Sequence, residues 1–446
     1  MSASDASPAF SIAVVGGGVT GLAAAETLRR EGANVTVYER ESRLGGLCSG
    51  TEIGGLPCDR FYHVVLPSDL ETLAWIRGLG LEDRLVRSAA GSGFYGRGRL
   101  VPLATSADFL RFPFLSFPRK IQLGAGILRA ALIADPSGPA STAAELWLKR
   151  RFGTVVTERI WMPLLRSKLG EAAPRASAAF IWASIRRLMA ARRGPAGRES
   201  WNGLRGGMRS LMAAAESRLR SDGVAVRTGC AVRRLTPLAD NKVRLETGDG
   251  VAIHDAVLLT VPGPETSRLL PAGSKGAEFW AGIEYLGVEA VLLLLTRRLS
   301  PYYIINLLDE SLPFTGIIET TNVLPPEEFG GQHLVYLPKY GSALRGQAGE
   351  EATKTSFLAG LKSEFPDLRD DEILDVRIER ASGVQPLLPP GPADPFPPET
   401  RRPAPGVFVV NTAMITRSPN NMNAALQLGR KAANSLWVEV RQGVSV

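Results

Sequence analysis

The chain opens with a short apolar run, FSIAVV at 10–15, and continues with a helical pattern in which Leu22, Ala25 and Leu28 share one face. A run of this length that is rich in β-branched residues predicts a buried parallel strand. A second run of the same kind, Asn34–Tyr38, follows the helical pattern. The order strand, helix, strand predicts a βαβ unit at the start of the chain.

Later segments carry comparable signals. The run LGVEAVLLLL at 286–295 predicts a central buried strand, and GVFVV at 406–410 predicts a strand that returns to the first sheet. The proline-rich segment 386–405 predicts an extended connector. A closing helix is predicted up to residue 437, and its Gly429 predicts close packing against a neighbour, which we expect to be the first strand. The apolar face of this helix is formed by Ala425, Leu428, Ala432 and Leu436.

The composition is that of an ordinary globular protein. Of 446 residues, 45% are hydrophobic and 22% are charged, which excludes a mainly disordered chain, a collagen-like fibre and a small disulfide-bonded scaffold. The three cysteines show no metal-binding spacing, so we expect no bound metal. Residues 1–10 lack the basic and apolar regions of a signal peptide, so we expect a cytoplasmic location.

One segment, 109–133, mixes aromatic and aliphatic residues with arginine and lysine. Its basic residues interrupt the apolar run, so we expect it not to span a membrane. Two interpretations stay open for this segment. One is a helix that lies on a membrane surface and gives peripheral contact, and the other is ordinary packing within the protein.

The net charge of +8 is concentrated in one region. Residues 141–220 contain 16 Lys and Arg against 5 Asp and Glu. This excess predicts an anionic partner, either a phosphorylated or carboxylated substrate or an anionic membrane face, although a solvated helical face would show the same composition. The region carries no recognisable nucleic-acid-binding motif, so we expect no nucleic-acid partner.

The glycines after the first predicted strand fit the pattern GxGxxG. Gly16 permits a tight turn, Gly18 leaves room for a pyrophosphate, and Gly21 lets the next helix pack closely against the strand. The start of that helix, at Val19 and Thr20, would present free N–H groups and a partial positive charge to the phosphates. The motif and its flanking elements together predict dinucleotide binding.

An acidic residue and a second glycine pair follow the predicted βαβ unit. Glu39 lies 18 residues after Gly21, near the spacing of a carboxylate that accepts a hydrogen bond from a ribose hydroxyl. The pair Gly45 and Gly46, directly before Leu47, predicts a second close approach of the backbone to the same cofactor. This arrangement resembles the flavoprotein signature of the amine oxidase and protoporphyrinogen oxidase-like superfamily, to which UDP-galactopyranose mutase is also related.

The resemblance extends along most of the chain. It rests on DRFYH at 59–63, on ERIWMPLLRSKLG at 158–170, on WNGLRGGMRSL at 201–211 and on VLLTVP at 257–262. It implies an α/β fold in which a Rossmann-like FAD-binding domain of the GR2 type carries an inserted α+β substrate domain.

The resemblance also implies how the chain is divided into domains. The discontinuous FAD-binding domain would comprise 11–92, 205–270 and 385–440. The substrate domain would comprise 93–204, which is largely helical, and 271–384, which contains a sheet. We expect the active site where the two domains meet.

The resemblance further implies which residues contact FAD. Val232 would meet the adenine through its backbone, and the start of the closing helix at Met422 and Asn423 would face the flavin ring. The superfamily usually places an acid at the position of Asn411 or Thr412, so this chain departs from the pattern there. The implied set of FAD contacts is Gly16, Gly18, Val19, Thr20, Gly21, Glu39, Arg40, Gly45, Gly46, Leu47, His63, Val232, Asn411, Met422 and Asn423.

The same resemblance places His63 beside the flavin and makes it the candidate catalytic residue. Few other protein groups are needed, because a flavin carries the reactive electrons itself. Candidates for orienting the substrate are Arg186, Lys339 and Tyr340, followed by Arg187, Lys168, Tyr302 and Tyr303.

Three functions stay open, and the third of them is a flavin-binding or scaffold protein without catalytic activity. The first is an FAD-dependent oxidoreductase that removes hydride from an organic small molecule, which we expect to be anionic or lipid-like. The second is a redox-neutral flavoenzyme of the UDP-galactopyranose mutase type that acts on a nucleotide sugar. The arginine-rich region would suit the second function, because guanidinium groups bind diphosphate oxygens in a bidentate manner.

Overall fold

The computed structural model describes residues 10–103, 105–191, 200–341 and 349–442. The strands are β1 (Ser11–Val15), β2 (Asn34–Tyr38), β3 (Gly50–Ile53), β4 (Leu56–Asp59), β5 (Leu85–Ser88), β6 (Ser92–Gly96), β7 (Arg99–Pro102), β8 (Trp201–Leu204), β9 (Ala225–Arg227), β10 (Val232–Pro237), β11 (Val243–Thr247), β12 (Gly250–His254), β13 (Ala256–Leu259), β14 (Glu284–Leu295), β15 (Ile304–Leu307), β16 (Gly316–Glu319), β17 (His333–Gly341), β18 (Ile373–Leu387) and β19 (Val407–Val409). The α-helices are α1 (Val19–Arg30), α2 (Leu70–Gly78), α3 (Ser106–Arg111), α4 (Phe117–Ala131), α5 (Ser137–Ala140), α6 (Ala144–Val156), α7 (Met162–Leu169), α8 (Ala179–Ala191), α9 (Gly207–Ser221), α10 (Gly263–Leu269), α11 (Ala277–Gly282), α12 (Glu350–Glu364), α13 (Pro398–Arg401) and α14 (Met422–Gln442).

A parallel sheet of order β19-β13-β1-β2-β9 forms one part of the molecule. Its central strands are short apolar runs because both of their faces are buried, as the sequence predicts. Helices α1 and α14 pack against each other over this sheet. The carboxyl ends of β1 and β2 carry the glycine motif and Glu39, at the edge of the sheet where α/β folds bind ligands.

A larger mixed sheet of order β18-β14-β17-β16-β15-β6-β7 forms a second part. Strand β14 lies between β18 and β17, antiparallel to both, and is buried along most of its length. One face of this sheet packs toward Phe61 and Tyr336, and the other packs against α12 around Phe357. The site described below lies on the first of these faces.

Helices α4, α6, α7 and α8 pack around a third apolar cluster that contains Trp147, Phe152 and Trp182. Helix α6 is kinked at Gly153, whose φ of +71° lies in the left-handed region. A π-helical turn, Thr157–Trp161, joins α6 to α7. This helical part brings α7 against β17 of the mixed sheet.

The structure confirms the predicted fold class, an α/β protein with a Rossmann-like parallel sheet and a second sheet with attached helices. The predicted strand at 286–295 is β14, and the closing helix α14 runs five residues beyond its predicted end, to Gln442. The predicted connector is not wholly extended, because it contains the short helix α13. The predicted neighbour of Gly429 is wrong: a Cβ there would collide with the carbonyl oxygen of Thr20, so Gly429 packs on α1 rather than on the first strand.

The predicted domain boundaries remain a proposal. The parallel sheet draws its strands from 11–38, 225–259 and 407–409. The mixed sheet draws its strands from 92–102 and 284–387. In the described ranges, no helix is both long enough and apolar enough to cross a bilayer, and no group of three or more His, Cys, Asp or Glu residues is placed to hold a metal ion.

Candidate active site

The turn between β1 and α1 is tight everywhere except at one glycine. Gly16 has a φ of +111°, a left-handed conformation that favours glycine. A Cβ on Gly21 would collide with the carbonyl oxygen of Gly16, whereas a Cβ on Gly18 would have no neighbour within 4 Å. Open space therefore lies beside Gly18 at the N-terminus of α1, where Val19 and Thr20 carry N–H groups without intrahelical partners. The free N–H groups and the partial positive charge of this helix end suit a pyrophosphate.

The second glycine pair packs directly on the first turn. The Gly45 N–H donates a 2.8 Å hydrogen bond to the carbonyl oxygen of Gly17, and Gly45 forms a bridge with Gly18. A Cβ on Gly46 would lie 3.5 Å from the Cα of Gly18. The structure thus brings the two predicted glycine segments to one place, and Leu47 continues from them into the apolar wall beside the mixed sheet.

Glu39 stabilises this turn with its carboxylate. One oxygen accepts a 2.6 Å hydrogen bond from the Gly17 N–H, and the other accepts a 2.8 Å hydrogen bond from the Glu41 N–H. The side chain is 8% exposed, at the end of β2 beside the open space. Arg40 turns outward instead and lies 3.4 Å from Glu41 and 3.6 Å from Glu265.

The start of β10 lies beside the end of β2. The Cys230 N–H donates a 2.8 Å hydrogen bond to the carbonyl oxygen of Glu39. Val232, two residues further on, is buried in the same apolar cluster as Tyr38. Glu39 and Val232 are therefore close to the glycine turn, which is where the resemblance expects the adenosine end of the cofactor.

The N-terminus of α14 is capped by Asn421. Its Oδ1 accepts a 2.9 Å hydrogen bond from the Ala424 N–H. Asn423 is used differently, because its Oδ1 accepts hydrogen bonds of 2.9 and 3.2 Å from N–H groups in the first turn of α2. The Asn423 side chain thus joins two helices, and the groups left for a ligand are the N–H groups of Met422 and Asn423.

Asn411 follows β19 and is 1% exposed. Its Oδ1 accepts a 3.1 Å hydrogen bond from the Ala413 N–H and a 3.4 Å hydrogen bond from the Tyr285 hydroxyl. Its Nδ2 is buried and has no partner among the residues that the structure describes. A buried donor without a partner is uncommon, and it fits a ligand that supplies an acceptor at this point.

His63 lies against Cys48, just after the second glycine pair. Its Nδ1 is 2.8 Å from the carbonyl oxygen of Phe61, and its Nε2 is 3.5 Å from the Cys48 Sγ. Burial lowers the pKa of His63, but Cys48 and Asp59 raise it more strongly, to about 9. His63 is therefore protonated near neutral pH and places a positive charge at the glycine segments.

Asp59 caps helix α9 from the end of β4. Its carboxylate accepts hydrogen bonds of 2.9 Å from the N–H groups of Met208 and Arg209, in the first turn of α9. Burial raises the pKa of Asp59, and the neighbouring His63 and these N–H groups act in the opposite direction. The contact anchors the segment 59–63 and so fixes the position of His63.

Two tyrosines and one lysine form a wall on the mixed-sheet side. The Tyr62 and Tyr340 hydroxyl oxygens are 3.0 Å apart, and Lys168 Nζ donates a 2.5 Å hydrogen bond to the Tyr62 hydroxyl. Burial raises the pKa of Tyr62 to about 12 and raises the pKa of Tyr340 as well, so both hydroxyls stay protonated. Leu47, Tyr62 and Tyr340 all pack against one apolar cluster, and Leu47 directly follows the second glycine pair.

Two predicted substrate residues lie elsewhere. Lys339 alternates with Tyr340 along β17 and points to the opposite face of the mixed sheet, where it pairs in register with Glu289. Arg186 is exposed on α8, and its guanidinium lies over the Trp182 ring at 5.1 Å. The structure therefore brings Tyr340 to the wall and leaves Lys339 and Arg186 away from it.

A cavity beside His63 is lined by Tyr62, His63 and Tyr303, which the sequence analysis selected, and by Tyr336, which it did not select. The Tyr303 hydroxyl is buried and has no partner among the described residues, so it is free for a ligand or water. The signal for Tyr336 was present, because strand alternation puts residues 336 and 340 on one face.

A comparison with known protein families identifies the family of this chain. A family model described as flavin containing amine oxidoreductase matches residues 19–436. The chain belongs to this family. The predicted class, a flavoprotein oxidoreductase related to amine oxidases and protoporphyrinogen oxidases, is confirmed at this level.

Proteins with similar sequences are named for different reactions. A hydroxysqualene dehydroxylase from Rhodopseudomonas palustris is 28% identical over 60% of this chain and 65% of its own length. A coproporphyrinogen III oxidase from Mycobacterium tuberculosis is 30% identical over 58% of this chain and 60% of its own length. The chain thus matches less than two thirds of each of these relatives.

A structural comparison adds support for the fold. A reduced UDP-galactopyranose mutase superposes with a TM-score of 0.72 at 17% identity, over 96% of this chain and 94% of that one. At this identity the likeness shows the fold alone. It confirms that the fold is shared with a protein named as a mutase, so the fold by itself does not fix the reaction.

Proposed function

We propose that the protein is an FAD-dependent oxidoreductase that removes hydride from an organic small molecule between the glycine segments and the Tyr62–Tyr340 wall. The observation that supports it best is that separate ligand-ready groups follow strands β1 and β19 of one parallel sheet, or begin helix α14, which packs on α1. These are the open space at Gly18, the unpartnered Nδ2 of Asn411 and the N-terminus of α14. Each suits an anionic or hydrogen-bond-accepting part of one extended cofactor.

Different residues would hold different parts of FAD. Gly18 and the start of α1 would hold the pyrophosphate, and Glu39 and Val232 the adenosine. Asn411 and the N–H groups of Met422 and Asn423 would hold the remaining polar atoms. Bound FAD supplies a two-electron acceptor for substrate oxidation.

The chain's own residues would shape the reaction space around the substrate. Protonated His63 contributes a fixed positive charge, which stabilises negative charge that develops nearby. Tyr62 and Tyr340 bring aromatic surface that excludes water and hydroxyls that can orient a polar substrate group. Asp59 holds the 59–63 segment through α9, so it acts as a positioning residue.

The substrate class is proposed from the relatives. Coproporphyrinogen III and hydroxysqualene appear in their names, so we propose a small organic substrate that is anionic or lipid-like. The arginine-rich region gives the redox-neutral alternative less support, because several of its cations are already paired. Arg166 with Glu310, Arg175 with Glu284 and Arg187 with Asp69 are examples. Residues 192–199 of this region lie outside the described residues.

The decisive experiment measures whether the substrate transfers electrons to the flavin. Protein loaded with FAD is mixed without oxygen with coproporphyrinogen III, and the absorbance of the oxidised flavin is followed. The proposal expects this compound to reduce the flavin, with two electrons removed from the substrate for each flavin that is reduced. Turnover that requires prior reduction of the flavin and consumes no electrons would instead establish the redox-neutral function.

A peripheral membrane contact is proposed from α4. Phe117, Ile121, Leu128 and Leu132 follow one another along one side of this helix and its C-terminal end, and they are between 58% and 82% exposed. Exposed arginines accompany this stripe at positions 111, 119 and 129. An apolar stripe bordered by cations matches an anionic bilayer surface in both respects.

Vesicle sedimentation tests this contact. We expect the protein to sediment with phosphatidylserine-containing vesicles, and the double variant Phe117→Ser, Leu128→Ser to remain in the supernatant. The control variant Val251→Ser, Ile253→Ser removes equally exposed apolar side chains from β12, outside the α4 stripe. Equal binding by both variants would contradict the contact.

A further inference from the structure

Helix α7 places one lysine against two tyrosine rings of the proposed active site. Lys168 Nζ lies 5.1 Å from the centroid of the Tyr62 ring and 4.8 Å from that of the Tyr340 ring. Two aromatic faces around an ammonium group are the arrangement with which proteins bind cationic ligands. Here an ammonium group of the chain itself fills the arrangement.

The fold holds Lys168 in this position at two points. Gly170 directly follows helix α7 and has a φ of +52°, and a Cβ there would lie 3.2 Å from the Tyr340 carbonyl oxygen. The Thr315 hydroxyl donates a 2.9 Å hydrogen bond to the carbonyl oxygen of Ser167. The end of α7 is therefore seated on β17, which places the Lys168 backbone close to the tyrosines.

Within the described ranges of the chain, Lys168 has no acidic partner. Its basic neighbours Arg166 and Arg175 pair with Glu310 and Glu284. No carboxylate of the described residues forms an ion pair with Lys168, and the acceptor of its hydrogen bond is the neutral Tyr62 hydroxyl. A half-buried cation without a counter-charge favours an anion in the space beside it.

We propose that Lys168 selects the substrate by charge: it binds a carboxylate group and excludes alkylammonium groups from the Tyr62–Tyr340 pair. This rests on the proposed function, because it assigns the substrate class of that same site. Tyr62 accepts from Lys168, so its own hydrogen is available to Tyr340 at 3.0 Å. The Tyr340 hydroxyl is then free to donate a hydrogen bond to the carboxylate. The carboxylate is thus bound by this hydrogen bond and by the positive charge of Lys168. A member of a family named for amines would thus reject amines.

The test uses two probes of the same ring and opposite charge, benzoate and benzylamine, with affinities measured by calorimetry on the FAD-loaded protein. We expect the wild type to bind benzoate and not benzylamine. Lys168→Gln should weaken benzoate roughly 10- to 100-fold, the loss of one charge-assisted hydrogen bond, and should allow benzylamine to bind. Lys168→Arg should retain benzoate binding. The control is Lys149→Gln, which removes a surface lysine paired with Glu145.

The opposite response of the two probes separates charge selection from a structural role, because a general loss of packing would weaken both. Unchanged benzoate affinity in Lys168→Gln, or benzylamine binding by the wild type, would overturn the proposal. FAD content is measured separately from released cofactor. A chain that takes up no FAD contradicts the proposed function, and probe binding to that chain still decides the assignment of Lys168.

Discussion

Adding one methyl group at Gly18 should weaken FAD binding without destabilising the folded protein. Gly18 has extended backbone, with φ of −75° and ψ of 174°, and a Cβ there meets no atom within 4 Å. Gly18→Ala therefore introduces no strain, and replacing a glycine stabilises the folded state by about 0.4–1 kcal/mol through the unfolded chain. The same methyl group would project into the space assigned to the pyrophosphate. Overpacking of that kind costs about 1–3 kcal/mol, which corresponds to a 5- to 150-fold weaker FAD affinity.

Gly21→Ala is the matched control, because it adds the same methyl group three residues later. There the Cβ would collide with the Gly16 carbonyl oxygen and would lie 2.9 Å from the Thr260 hydroxyl. The turn between β1 and α1 must shift, so we expect the cofactor-free protein to lose about 1–3 kcal/mol of unfolding free energy.

Two assays check the pair. Urea unfolding of the cofactor-free proteins should show Gly18→Ala at least as stable as the wild type and Gly21→Ala less stable. Titration with FAD should show weakened binding by Gly18→Ala. Wild-type FAD affinity in Gly18→Ala would refute the assignment of the pyrophosphate to this space, and destabilisation of that variant would refute the description of the turn.

Three further predictions concern single side chains. Glu39→Ala removes the acceptor of the Gly17 and Glu41 N–H groups, so urea unfolding should show a loss of about 1–3 kcal/mol, together with roughly 10-fold or more weaker FAD binding. Arg187→Ala removes hydrogen bonds of 3.2 and 2.7 Å to the buried Asp69 carboxylate and should cost about 1–3 kcal/mol, whereas removal of the exposed Arg218 should cost about 1 kcal/mol or less. The pKa of His63 is raised from 6.5 to about 9, so its stabilising contribution is complete below pH 6.5 and is lost as the pH rises through 9. Unfolding measured across this interval should show that loss in the wild type, and an equal loss in His63→Gln would contradict it.

Much of the proposed cofactor-binding part of the site could be predicted from the sequence, because its residues lie close together along the chain. The glycine turn, Glu39 and the second glycine pair lie within about one βαβ unit, and their spacing follows from strand and helix geometry. The departure at Asn411 was also visible in the sequence. Its physical meaning, a buried amide with a free donor, needed the surrounding structure.

The proposed substrate-binding part of the site could not be predicted in this way, because it is formed by contacts between segments that are distant in the sequence. Lys168, Tyr62 and Tyr340 come from a helix, a loop and a strand, and their meeting depends on how α7 packs on β17. Asn423 shows the same limit, because its side chain caps a helix 352 residues away in sequence. Lys339 and Tyr340 are adjacent in sequence, yet strand alternation sends them to opposite faces, and only the register of β17 shows which face holds the site.

The central claim is that one cleft binds a single FAD molecule between the glycine segments and the start of α14. Titrating the cofactor-free protein with FAD and with FMN tests it most directly, because only FAD reaches both Glu39 and Met422. The account predicts one FAD per chain and at least about 100-fold weaker binding of FMN, since the contacts at the adenosine end are lost. Equal affinity for the two flavins, or no binding of FAD, would contradict it.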